Sequence, residues 1–185
     1  MTIRHAKTTD SEFIAYSVAD AVGMSNPSAK LMEWMQQLCL STDTLYSWQN
    51  TLIAETNGQP AGSLTLYPGN DYATMRHTTF ELIKQAMGQD FSTMDMEALP
   101  GEYYLDSLSV RPQFRRQGIG TALLRAGINQ ATIHGEKTVT LACEPGNEKA
   151  YKLYYELGFR RTGTLFIFGE NYWKMALHID DTSHR

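Results

Sequence analysis

The sequence is poor in the residues that bind metals or crosslink chains. Its two cysteines, Cys39 and Cys143, lie far apart and form neither a Cys-x-x-Cys pair nor a zinc-ligand spacing. Its five histidines are scattered, so no metal site is predicted. Two free thiols in a reducing compartment are the simplest interpretation, and we therefore expect a cytoplasmic protein without a disulfide framework.

The sequence also lacks a basic excess and a long apolar run. Its 20 acidic and 16 basic residues give a formal net charge of −4, which argues against nucleic acid as a partner because a phosphate-binding face usually carries a basic excess. No stretch approaches the roughly 20 apolar residues that span a bilayer, and the first residues lack the apolar core of a signal peptide. We expect no membrane partner.

What is present is an ordinary globular composition with a clear order of elements. The 185 residues, 42% of them apolar, suffice for one domain with a sizeable core, so a single domain over residues 1–185 is expected. Periodicity predicts a mixed α/β (α+β) fold with the order β-α-α-β-β-(insertion)-β-α-β-α-β-β. The predicted strands cover residues 2–6, 51–55, 61–67, 103–110, 137–143, 159–168 and 172–178. The predicted helices lie near residues 11–22, 31–38, 78–87, 117–134 and 147–157.

The insertion at 70–101 has the least regular pattern. It is predicted to be irregular apart from a helix near Thr78 to Met87, and it ends in a stretch that carries acidic residues, namely Asp90, Asp95, Glu97 and, just beyond it, Glu102. A connection of this length is either a functional lid or a simple insertion, and the pattern does not choose between them. The carboxylates favour a small cationic amine as substrate.

The run from Val110 to Thr121 is the most informative part of the chain: a strand ends, a basic turn follows and a helix starts. Unpaired N–H groups and the dipole at a helix start favour an anion. A P-loop would need Lys-Ser or Lys-Thr after the second glycine, where this chain has Thr121-Ala122. A dinucleotide-binding loop would need a third glycine where Leu123 stands. A helix that uses glycine only for close packing remains the alternative.

This run resembles the pyrophosphate loop R/Q-x-x-G-x-G/A of the GNAT superfamily of N-acetyltransferases, through Arg115-Arg116-Gln117-Gly118-Ile119-Gly120. Residues 147–159 resemble the second motif of that family, N-x-x-A-x-x-x-Y-x-x-x-G-F, and Ile3-Arg4-x-Ala6 before Asp10 is also typical. The resemblance implies acetyl-CoA as acetyl donor and an amine as acceptor. It also implies a mostly antiparallel sheet of about seven strands with a splayed centre, about four helices, and compatibility with a homodimer.

The same resemblance implies roles for individual residues. The backbone of Leu108, Ser109 and Val110 would pair with the pantetheine arm, and Asn147 and Tyr151 would also contact the cofactor. The pyrophosphate would be held by Arg115, Arg116, Gln117, Gly118, Ile119, Gly120 and Thr121.

Two side chains are candidates for catalysis. Tyr154 would act as general acid, with a core tyrosine as the alternative, and Asp106 would act as base or substrate anchor, with a capping carboxylate as the alternative. Glu102 and Glu144 are other candidate bases. The predicted function is acetyl transfer to a primary amine of a small molecule, by direct attack in a ternary complex. Covalent transfer through Cys143 and a non-catalytic acetyl-CoA sensor are the alternatives.

Overall fold

The computed structural model describes residues 1–179 and contains a seven-stranded sheet and five α-helices. The strands are β1 (Thr2–His5), β2 (Thr51–Thr56), β3 (Gln59–Pro68), β4 (Glu102–Val110), β5 (Thr138–Cys143), β6 (Arg160–Ile167) and β7 (Glu170–His178). The helices are α1 (Ser11–Ala21), α2 (Ala29–Leu40), α3 (Gly69–Met87), α4 (Ile119–Ile133) and α5 (Glu148–Glu156). The predicted fold class is confirmed, with five helices. Residues 180–185 of the predicted domain lie outside the described residues.

The strands follow the order β1-β2-β3-β4-β5-β7-β6. The pairs β1–β2, β2–β3, β5–β7 and β6–β7 are antiparallel, and β4–β5 is parallel. Internal contacts divide the chain into two compact units. One comprises residues 1–66 and 106–127, and the other comprises residues 67–105 and the chain from 128 onwards. Within residues 1–179, no helix is long and apolar enough to cross a lipid bilayer.

In the first unit, the entry into α1 depends on an ion pair. The sequence predicts Asp10 or Ser11 as the side-chain cap, but the Asp10 carboxylate instead accepts the Lys7 N–H at 2.7 Å and pairs with Arg4 at 2.7 Å. The Arg4 guanidinium holds the pKa of Asp10 below its usual value. The predicted apolar stripe of α1 is buried at Ile14 and Val18, whereas Val22 follows the helix and is exposed.

The hairpin of β2 and β3 turns at Asn57 and Gly58, as predicted. Both residues have positive φ, 53° and 73°, which is the backbone that a tight two-residue hairpin turn requires. Asparagine and glycine tolerate this conformation better than other residues, so the turn chemistry is readable from the sequence.

In the second unit, the insertion is more helical than predicted. Helix α3 begins at Gly69, so it starts nine residues before the predicted Thr78. The sequence pattern places Gly69 at the end of a strand, but a Cβ there would collide with the Leu99 carbonyl. Only glycine therefore allows the end of the insertion to cross the start of α3. The helix ends at Gly88, which has φ +69°.

Two further boundaries differ from prediction in this unit. The β6–β7 turn lies at Phe168 and Gly169, both with positive φ, so Glu170 and Asn171 belong to β7 and not to the turn. The helical periodicity predicts a buried Ile133, but this residue is 67% exposed because α4 ends there.

Candidate active site

The glycine loop, residues 115–120, follows β4 after a short 3-10 turn at Pro112–Phe114. Arg116 and Gly118 have φ of 63° and 77°, and α4 begins at Ile119. The Ala122 N–H donates to the Gly118 carbonyl at 3.0 Å and so closes the first turn. The amides of residues 119–121 precede that bond, at the position where a helix leaves its N–H groups without intrahelical partners. This start of α4 is suited to bind an anion.

The two arginines before the glycines have different environments. The Arg115 Nε donates to the Val110 carbonyl at 2.8 Å, and its Nη2 lies 3.5 Å from the Asp20 carboxylate. Arg115 therefore braces the loop by holding it against the end of β4, at Val110. Arg116 and Gln117 are exposed. The contribution of both arginines to pyrophosphate binding stays a prediction.

The side chains of β4 alternate as the sequence predicts. Asp106, Leu108 and Val110 are half-buried on one face, and Asp106 accepts the Ser107 hydroxyl at 2.9 Å. A Cβ added at Gly120 would lie 3.9 Å from the side chains of both Leu108 and Val110, which is ordinary van der Waals contact. Gly120 therefore lies over this face of the strand, whereas Gly118 is required for its backbone conformation.

The pairing of β4 is shorter than the strand. Its register with β5 runs from Glu102–Thr138 to Leu105–Leu141 and ends there. Residues 106–110 of β4 continue beyond this register, so their backbone groups on that side are not part of the β5 ladder.

In the second unit, α5 begins as predicted. The Asn147 side chain accepts the Ala150 N–H at 3.1 Å and caps the helix. One turn on, the Tyr151 ring packs on Trp173 at 5.1 Å and on Tyr155 at 6.2 Å. The cap accounts for Asn147 structurally, and the aromatic packing accounts for Tyr151. A cofactor role for either residue stays a prediction.

Tyr154 is half-buried on the same helix. Its ring packs edge-on against Phe159 at 6.2 Å. Burial, with a smaller contribution from Cys143, raises the pKa of Tyr154 to about 12. The hydroxyl therefore keeps its proton at neutral pH, as a proton donor must.

Cys143 and Glu102 are less suited to the roles considered for them. The Cys143 thiol is buried, and burial followed by the charge of Glu144 raises its pKa, which disfavours the nucleophilic thiolate. The Glu102 carboxylate pairs with Lys174 at 2.8 Å and also accepts the Leu99 N–H at 3.0 Å, so it has a structural role. Glu144 is exposed in a surface pocket lined by residues 144 and 146–149.

One polar cluster is missed by sequence reasoning. Glu97 is 7% exposed, and its carboxyl group accepts the Tyr104 hydroxyl at 2.8 Å and the Tyr72 hydroxyl at 3.2 Å. The sequence pattern suggests an accessible acidic residue instead. Its neighbour Asp95 accepts the Phe166 N–H at 2.7 Å and so fastens the insertion to β6.

The predicted site residues fall in both units. Asp106, Leu108–Val110 and Arg115–Thr121 belong to the first unit, and Asn147, Tyr151 and Tyr154 belong to the second. The first group contains a glycine loop at a helix start, and the second contains a capped helix that carries the half-buried Tyr154. The glycine loop and the capped helix are the two motifs on which the predicted acetyltransferase class rests.

The profile of the acetyltransferase (GNAT) family matches residues 16–159, and the chain belongs to this family of acyltransferases. This match confirms the predicted resemblance, and acetyl-CoA is the acetyl donor that is general to the family.

Individual proteins similar to this chain are also acetyltransferases by their names. An uncharacterized N-acetyltransferase, YhfO of Bacillus subtilis, is 33% identical over 108 residues, which are 58% of this chain and 56% of that protein. A crystal structure of an acetyltransferase is 29% identical, with a TM-score of 0.80 over 97% of this chain and 100% of that one. An N-acetyltransferase from Staphylococcus aureus Mu50 is 24% identical and shares the fold, with a TM-score of 0.79 over 96% and 100% of the two chains. Matches to curated relatives span 24–56% of their lengths.

Proposed function

We propose that this protein transfers an acetyl group from acetyl-CoA to a primary amine of a small molecule, by direct attack in a ternary complex. The observation that carries the proposal is the glycine loop: Gly118 takes a left-handed conformation and α4 opens directly behind it. Such a helix start binds the phosphates of a nucleotide through main-chain N–H groups. The residues present therefore fit the pyrophosphate of CoA.

Each chemical step has a candidate group in this chain. The backbone of residues 108–110 would orient the thioester, with an amide of this strand polarising the carbonyl as negative charge develops on its oxygen. Asp106 would accept a proton from the attacking amine, directly or through water. Tyr154 would donate its proton to the departing sulfur as the carbon–sulfur bond breaks and the amide bond forms.

The pKa values support direct transfer over a covalent route. A pKa of about 12 keeps Tyr154 protonated, whereas the raised pKa of Cys143 keeps its thiol uncharged and poorly nucleophilic. An ordinary thiol has a pKa of about 8.5, so complete proton transfer from Tyr154 to a thiolate is uphill. We therefore propose that Tyr154 acts chiefly by a hydrogen bond that strengthens as charge develops on sulfur.

The charges near Tyr172 support a cationic acceptor. Burial raises the pKa of its hydroxyl, and the carboxylates of Glu170, Glu144 and Glu97 add to the shift. This negative potential favours an ammonium group. The other acidic residues of the insertion give less support than the sequence suggests, because Asp90 pairs with Lys84 and Asp95 binds a backbone N–H.

The test is release of the CoA thiol from acetyl-CoA across a panel of polyamines, aminoglycosides, amino acids and peptides. We expect turnover with a small amine, and product mass should show addition of one acetyl group. Turnover with peptides alone would contradict the proposed acceptor class. Tight acetyl-CoA binding without turnover on any amine would favour a non-catalytic sensor.

A further inference from the structure

Asp20 occupies a position that the local rules of helix structure disfavour. It lies in the last turn of α1, next to the terminal residue Ala21, and that turn contains no basic residue. A carboxylate there faces the negative end of the helix dipole, which is an unfavourable interaction. The compensation must therefore come from outside the helix.

That compensation comes from β4 and the glycine loop, within the same compact unit. The Ser109 hydroxyl donates to the Asp20 Oδ2 at 2.7 Å, and the Arg115 Nη2 lies 3.5 Å from the same oxygen. Through its Nε, Arg115 also holds the Val110 carbonyl at 2.8 Å. Asp20 thus joins the end of a strand to the arginine that braces the loop.

Ser109 holds a fixed position among the contacts of Asp20. Its side chain is buried, and the residue is 4% exposed. A Cβ added at Gly62 on β3 would come within 2.8 Å of the Ser109 carbonyl oxygen, so the two backbones are already in close contact. The neighbouring Arg111 N–H donates to the Ala61 carbonyl at 2.9 Å. The Ser109 hydroxyl therefore has a well-defined position from which to hold Asp20.

Considered as a charge alone, Asp20 would weaken anion binding at the loop. A negative charge beside an arginine at an anion-binding loop lowers the positive potential that the anion experiences. Its useful contribution must then be geometric. We propose that Asp20 is a positioning residue for the pyrophosphate loop, which holds Arg115 against Val110 so that the amides of residues 117–121 are preorganised for the diphosphate of CoA. This inference rests on the proposed function.

The positioning role and a purely electrostatic effect predict opposite changes in CoA affinity for Asp20→Asn. If Asp20 positions the loop, the substitution raises the Kd for CoA and the KM for acetyl-CoA about fivefold to twentyfold, with kcat and the acceptor KM unchanged. If its charge alone matters, CoA binds more tightly. Glu12→Gln is the matched control, because it removes one exposed carboxylate from the first turn of the same helix and should leave both constants unchanged.

A truncated donor provides the readout that a merely structural role would not change. S-acetyl-pantetheine lacks the diphosphate, so its KM should be the same for wild type and Asp20→Asn. An equal rise in KM for both donors would overturn the proposal, and so would an unchanged or lowered Kd for CoA.

A double-mutant cycle with Arg115→Gln tests the route, and the Arg115→Gln single variant covers the case in which Asp20→Asn folds poorly. Arg115→Gln alone should weaken CoA binding by a similar factor. Adding Asp20→Asn should have little further effect, because both substitutions break the same set of contacts between Asp20, Arg115 and Val110. Independent, multiplying effects would refute the coupling. If the wild type itself binds no CoA, the proposed function fails; if it binds CoA and Asp20→Asn binds equally well, only this inference fails.

Discussion

The two glycines of the loop should respond differently to the same substitution. A Cβ added at Gly118 would meet no neighbouring atom of the described residues within 4 Å, so Gly118→Ala has no steric obstacle but must keep a left-handed backbone at φ +77°. That conformation costs a residue with a side chain about 1–2 kcal/mol. At Gly120 no positive φ is required, and a Cβ would make ordinary contacts at 3.9 Å. Gly120→Ala should therefore be tolerated, or stabilise α4 by up to about 1 kcal/mol.

Thermal unfolding with and without CoA measures both effects. At a ligand concentration of about 100 Kd, CoA should add about 2.7 kcal/mol, which raises the Tm of a protein of this size by about 5–10 °C. We expect Gly118→Ala to lower the Tm of the free protein by a few degrees and to reduce the CoA shift, because strain displaces the loop amides. Gly120→Ala should keep the shift.

Gly120→Trp extends the test, since a bulky side chain over Leu108 and Val110 should abolish the CoA shift in a folded protein. The reasoning fails if Gly118→Ala retains the full shift, or if a folded Gly120→Trp variant shifts as the wild type does. Circular dichroism of each free variant shows that the fold is retained.

Three further predictions concern side chains of the second unit. Tyr154→Phe removes one hydroxyl and should lower kcat by roughly tenfold to a few hundredfold with CoA affinity unchanged; an unchanged kcat in steady-state kinetics, with chemistry rate-limiting, would return Tyr154 to a packing role. Cys143→Ala should keep kcat within about threefold, because its raised pKa disfavours a thiolate nucleophile; loss of activity in a stably folded variant would support the covalent route. Glu97→Gln should lower the free energy of unfolding by about 1–3 kcal/mol in urea titrations, since the buried carboxyl group accepts two tyrosine hydroxyls. A stability equal to wild type, together with a raised KM for a cationic acceptor, would instead place Glu97 in substrate recognition.

Features whose causes lie within a few residues of the chain could be predicted from the sequence. The Asn57–Gly58 turn follows from two residues that accept positive φ, and the Asn147 cap follows from one side chain that reaches an amide three positions on. The glycine loop is equally local, because a helix start leaves N–H groups open whatever lies around it. These local signals also carry the family assignment.

Tertiary structure alone decided the features that depend on residues distant in sequence. Residue 69, at the start of α3, must be glycine because the Leu99 carbonyl lies against it, and the buried Glu97 is satisfied because two tyrosines from separate elements donate to it. The partners of Asp20 lie 89 residues away, at Ser109, and further along the loop. Polarity and spacing describe what a side chain can do, but whether a carboxylate is solvated, paired or buried depends on which backbone folds against it.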